Sequence, residues 1–202
     1  MSITRNELIK TAINRAFALI DYDVHDDFHK QHEFRRKVIH ADESLTEDEK
    51  IEAIRRLNKV YDRQKLRKNS GTERICENCQ LGCLATLFCE HCVRNYLKSK
   101  FSNWKSRKNV IHNLIQKCQM ETLRPDMIVE WIPYNNLQNI EYLTKGGCTK
   151  IYTAVWKNGH YNRWDSKKQL KRFGSHKVIL KKLENVENAN QSWLKEVCNL
   201  KK

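Results

Sequence analysis

Apolar residues recur at helical spacing over residues 6–20, where Ile9, Ala12, Ile13, Ala16, Phe17 and Ile20 form one stripe. Asp21-Tyr22-Asp23 ends it. Residues 22–43 are rich in His, Asp and Arg instead and read as an exposed helix. A further helix starts at Ser44-Leu45-Thr46-Glu47-Asp48-Glu49. Ser44 with Glu47, or Thr46 with Glu49, makes a capping box there, and the acids suit the positive end of the helix dipole. This helix runs to about Arg67 with Ile51, Ile54, Leu57 and Tyr61 inward, and Asn69-Ser70-Gly71 stops it. Residues 1–70 therefore predict a hairpin of helices packed on each other.

The pattern turns helical again over residues 93–120. Tyr96, Leu97, Phe101 and Trp104 supply aromatic and aliphatic bulk, and Val110, Ile111, Leu114, Ile115 and Cys118 form a second stripe. Leu123-Arg124-Pro125-Asp126 breaks it and marks a domain boundary. From Ile140 the chain reads as a strand, a tight Gly-Gly turn and a second strand. A third strand, Val178-Ile179-Leu180-Lys181-Lys182-Leu183, and a helix carrying Glu196 follow. The expected class is α+β, with three antiparallel strands and one helix after a helical region. The expected divisions are a helical hairpin over 1–70, a cysteine segment over 71–100, helix and linker over 101–126, and a last domain over 127–202.

Composition narrows this. Of 202 residues, 40% are hydrophobic and 31% charged, too many apolar residues for a disordered chain. No apolar run is long enough for a membrane span and the start lacks a signal-peptide core, so an intracellular, cytoplasmic setting is expected. The net charge of +14 is uneven: +2 over residues 1–70, +4 over 71–129 and +8 over 130–202. Such an excess suits nucleic acid, but a solvated lysine surface is the plainer reading.

Five of the eight cysteines fall between positions 76 and 92. Cys76-Glu-Asn-Cys79 and Cys89-Glu-His-Cys92 are two C-x-x-C knuckles able to give four thiolates to one tetrahedral ion, and zinc is the natural choice. The connecting loop is short and must turn tightly, a job expected of Gly82. Cys83 and His91 are spare donors. Four protein ligands leave no open position, so the expected zinc is structural rather than catalytic. His25, His29, His32 and His40 invite a metal reading as well, but no further ligands complete a set.

Taken together, C-E-N-C, C-E-H-C, the helix ending N-L-I-Q-K-C-Q, Glu130-Trp131-Ile132-Pro133-Tyr134, Lys145-Gly146-Gly147 and Val178-Ile179-Leu180-Lys181 resemble a large fungal family of protein-kinase-like proteins of the tyrosine-kinase-like group. The resemblance covers nearly the whole chain. It implies a partial kinase N-lobe with an ATP half-site made of Gly146, Gly147, Ile151, Ala154, Lys181 and Glu196. In that half-site Lys181 faces the phosphates and Glu196 steadies Lys181. Thr144 and Thr149 replace two glycines of the usual loop and Cys148 replaces its aromatic tip, which weakens phosphate binding. Ile179 in place of the usual alanine narrows the adenine pocket. No catalytic loop or magnesium-binding aspartate is recognised, so the expectation is a truncated or degenerate pseudokinase, not an enzyme, acting by binding protein partners. ATP and magnesium enter by resemblance alone. The third strand is expected to be an open edge and the region after residue 130 to be partly unfolded. The competing expectation is a zinc-stabilised basic module that binds nucleic acid.

Overall fold

The computed structural model describes residues 4–101, 109–146, 149–165, 167 and 169–183. Its class is α+β, with five α-helices and small antiparallel sheets among the described residues. The chain divides into two compact units, Met1–Cys89 and Glu90–Lys202, and the division falls inside the cysteine segment.

Three helices, not a pair, build the first unit: α1 (Arg5–Ala18), α2 (Phe28–His40) and α3 (Glu47–Lys68). Each packs on the other two around Ile9, Ala12, Ala16, Ile39, Leu45, Ala53 and Leu57. Alanine at three of these places lets the helices approach closely. Thr46 and Glu49 form the capping box at the start of α3, and Asn69 ends it in the left-handed conformation (φ 45°). That is a common helix stop, because asparagine tolerates this geometry.

Two expectations change here. The second helix is not exposed: Phe28, His32, Arg35 and Ile39 lie buried along one face. Its inner stripe is half polar, so a search for apolar periodicity passes over it. The Arg35 guanidinium lies 4.1 Å from the Phe17 ring centre, and Tyr61 stacks on His32 at 3.9 Å. Ile51, expected inward, is 65% exposed, and Ala53 takes the buried place instead.

In the second unit the single helix expected over residues 93–120 is two, α4 (Glu90–Lys98) and α5 (Asn109–Met120). Pro125 opens a short 3-10 turn at the expected break. The strand pattern expected from Ile140 is present as a three-stranded antiparallel sheet. Counting from the small cysteine-segment strands β1 (Arg74–Ile75) and β2 (Gly82–Cys83), its members are β3 (Leu137–Gly146), β4 (Thr149–Trp156) and β7 (His176–Leu183), with β4 in the middle. Within the region expected to be partly unfolded after residue 130, the described residues of β3, β4 and β7 form this sheet, and β4 and β7 pair without a register shift from end to end.

Between β4 and β7 lies a hairpin the apolar pattern does not announce, β5 (Tyr161–Trp164) and β6 (Leu170–Arg172). Gly159 precedes it with φ +62°, and a Cβ there would sit 2.1 Å from the Gly174 carbonyl oxygen, so only glycine closes this base. Glu130, the first residue of the E-W-I-P-Y motif, accepts from the Tyr161 amide at 3.3 Å and pairs with Arg172, which also donates to the Gly159 carbonyl at 2.6 Å. That motif therefore clasps the hairpin. No helix among the described residues is long and apolar enough to cross a membrane.

Candidate metal centre

The first cysteine pair sits at the tip of the β1–β2 hairpin. Arg74 faces Cys83 and Ile75 faces Gly82 in its ladder. The connecting turn is closed by two bonds of 2.9 Å, from the Cys76 amide to the Leu81 carbonyl and from the Gln80 amide to the Cys76 carbonyl. The Asn78 amide donates to the Cys76 sulfur at 3.4 Å. An N–H aimed at sulfur favours its charged form, as a metal ligand requires. The tight conformation falls on Gln80, whose φ is +57°, and not on Gly82, which lies in β2 without a left-handed φ. Sequence reading placed the turn at the glycine because glycine is the usual tenant of that geometry.

The second pair opens α4. Cys89 immediately precedes the helix and Cys92 falls in its first turn. Helix N-termini favour negative charge and so favour thiolates.

Cys76, Cys79, Cys89 and Cys92 form a group that can hold a metal ion: their sulfurs all lie within 4.8 Å of one another. Cys79 and Cys89 are 3.6 Å apart, sulfur to sulfur. A tetrahedron with zinc–sulfur bonds of about 2.3 Å has edges of about 3.8 Å, so the donor set fits zinc in spacing as well as chemistry. Three of the four are buried and Cys79 is half-buried.

The two spare donors part company. His91, half-buried, is in no metal-capable group among the described residues. Cys83 is buried in a neighbouring group with Cys89 and Glu90, and its thiol donates to the Arg74 carbonyl at 3.4 Å. The histidines of residues 25–40 join no metal-capable group either. His29 bonds the Tyr61 hydroxyl at 2.7 Å, and burial pushes His32 down to about 4.

Two residues that sequence reading missed hold the loop leading to Cys89. Asp62 on α3, 1% exposed, accepts from the amides of Thr86 and Leu87 at 2.7 and 2.9 Å. Burial pushes its carboxyl up, against the pull of those amides and of Lys65. Arg74 grips the other side, donating to the Ala85 and Phe88 carbonyls at 2.8 and 2.6 Å. The one hint of Asp62 in the sequence is a lone acid in the basic last third of its helix.

The residues of the expected ATP half-site are spread over the second unit's sheet. Ile151 and Lys181 are direct cross-strand partners, as are Thr144 and Ile151. Partners in an antiparallel ladder share a face, so Thr144, Ile151 and Lys181 stand together, with Ile179 two residues along on that face. Ala154 does not join them. Three residues from Ile151 in a period-two strand, it faces the other way and is buried with Trp156. Gly146 ends β3 opposite Thr149. Gly147, Cys148 and Glu196 lie outside the described residues, as does the helix expected around Glu196.

No family model, characterised protein or solved structure matches the chain.

Proposed function

We propose that the chain is a non-enzymatic binding protein whose cysteine segment is ordered by one structural zinc ion, held by Cys76, Cys79, Cys89 and Cys92. The convergence of these four sulfurs within 4.8 Å carries the reading. When bound, zinc supplies a tetrahedral cross-link and no redox chemistry. With all four positions filled by protein, it offers none to a substrate. The surrounding residues support a scaffold: Asp62 and Arg74 fix the approach to Cys89, and the Asn78 amide supports charge on Cys76. The purified chain is expected to contain about one zinc per molecule. Elemental analysis with and without a chelator checks this. A metal-free chain whose circular dichroism ignores both zinc and chelator would overturn it.

A second reading is supported by one observation, the shared face of Thr144, Ile151, Ile179 and Lys181. It is a degenerate protein-kinase-like lobe of pseudokinase type, with Lys181 toward the phosphates of ATP and with protein partners as its targets. Calorimetry with ATP and magnesium tests it. Binding lost on Lys181→Met sustains this reading, and equal or absent heats in both proteins remove it.

A further inference from the structure

The two outer strands of the β3–β4–β7 sheet are built differently. β3 meets β4 through two register shifts, between Gln138 and Glu141 and between Tyr142 and Thr144, and Asn139 sits within it at φ +49°. Such irregularities turn an edge away from new partners. β7 has none. It pairs with β4 residue for residue, from His176 opposite Trp156 to Leu183 opposite Thr149. Among the described residues no strand lies on its outer side. Every second residue of β7 therefore turns its N–H and C=O groups outward, a template for one more strand.

The side chains select what that strand can be. Lys177, Ile179 and Lys181 follow one another along one face of β7, and all three are exposed, Ile179 by 58%. Their partners on β4 are Val155, Thr153 and Ile151, which offer no carboxylate. No ion pair among the described residues includes Lys177, Lys181 or Lys182. A second copy of the chain is a poor occupant. Two β7 strands paired antiparallel about Ile179 would set Lys177 against Lys181 twice, and like charges directly opposite one another destabilise a ladder. Lysines on an edge strand discourage indiscriminate pairing for the same reason. They favour a strand of opposite charge, with an acid, an apolar residue and an acid at every second position to face Lys177, Ile179 and Lys181.

We propose that β7 is the docking edge for an acidic, extended segment of a partner protein, which joins the sheet as a further strand. Backbone bonds to β7 supply the attachment, and the Lys177, Ile179 and Lys181 pattern supplies the choice of partner. The proposal uses neither the zinc ligands nor a bound nucleotide, so it stands or falls apart from both readings above.

The test is fluorescence anisotropy of the full zinc-loaded chain with a labelled peptide, Thr-Glu-Thr-Val-Thr-Glu-Thr. An isomer with its two glutamates side by side is run next to it and is expected to bind about tenfold more weakly. Lys177→Glu with Lys181→Glu, both at exposed positions, should weaken binding of the first peptide by about tenfold and should instead take up its counterpart with lysine for glutamate. Methylating the peptide's amide nitrogens at alternate residues should abolish binding in one of the two possible sets and spare it in the other, since only one set faces β7. Equal binding of the isomer overturns the proposal, because the lysines then act only as a diffuse attraction for anions. Methylation that is harmless in both sets overturns it too, because no ladder has formed. In hydrogen exchange, alternate β7 amides should be fast in the free chain and slow once the peptide is bound. Protection of every β7 amide without peptide means that the edge is already covered, by the chain itself or by a second copy, and this also overturns the proposal.

Discussion

The three-helix region and the three-stranded sheet reach order by different means. The helices bury charged and polar side chains deep in their contacts: His32, Arg35, Glu49, Asp62 and Lys65 are all under 9% exposed. Each is held by a named neighbour, such as Tyr61 on His32 or Arg5 on Glu49. The sheet buries Ala154 and Trp156 and leaves Tyr142, Leu143 and Ile179 more than half exposed. Its order rests on backbone ladders. The first region should therefore be sensitive to the identity of single side chains, and the second tolerant of them.

The largest effect is expected at the four cysteines of the proposed zinc site. Cys89→Ser should abolish zinc binding, whose apparent free energy is on the order of 10 kcal/mol in small structural sites. Backbone hydrogen exchange should then rise over residues 71–100 while α1–α3 and the sheet keep their protection. Collapse of the sheet in the same variant would break the comparison. Asp62→Ala comes next. It orphans two loop amides and should cost about 4 kcal/mol, read from chemical denaturation of the zinc-loaded chain.

His32 gives a pH signature. Burial holds its folded value at about 4, below the ordinary value of 6.5, with Arg36 adding to the effect. The unfolded chain takes up the proton first, so stability is complete above about pH 6.5 and is lost as pH falls toward 4. The loss approaches about 3 kcal/mol at pH 4. Arg35, Arg36 and Glu33 are the charges around the ring, Asn58 hydrogen-bonds it, and Tyr61 covers it. His32→Gln should flatten the acid limb of melting temperature against pH, and an unchanged limb would show that other groups set it.

Gln80→Gly should raise stability by about 1 kcal/mol by relieving a left-handed φ, visible as a higher melting point of the zinc-loaded chain. Smallest of all, Ile179→Thr on the open sheet should stay within about 0.5 kcal/mol of the parent. A larger loss would mean that the exposed face is packed against something in solution.

What could be read in advance divides along the same line. The α1 and α3 stripes, the Thr46–Glu49 cap, the Asn69 stop and the β3–β4–β7 strands follow from local periodicity and capping, which single residues report. The four cysteines follow from spacing alone. The inner face of α2 was illegible because burial there uses histidine and arginine. The β5–β6 hairpin escaped notice because its strands are short and basic, and its closure depends on Gly159 meeting Gly174 some fifteen residues on. Asp62 and Arg74 were hidden for a different reason. A carboxylate that holds amides about two dozen positions away carries no mark of that task in its own neighbourhood.

That clamp bears on how fast the proposed zinc centre would assemble, not only on how stable it would be. Asp62 and Arg74 hold the stretch before Cys89 by bonds that need no metal. One knuckle is thus placed in advance, and the six-residue turn from Cys76 to Leu81 that carries the other is closed by its own two backbone bonds. Less chain must be searched at the moment of capture, so loading should be quick even at scarce zinc. Release requires that turn to open while its partner stays in place, ready to rebind. At the proposed zinc centre, an aspartate and an arginine outside the ligand set would thus set how readily an empty site refills.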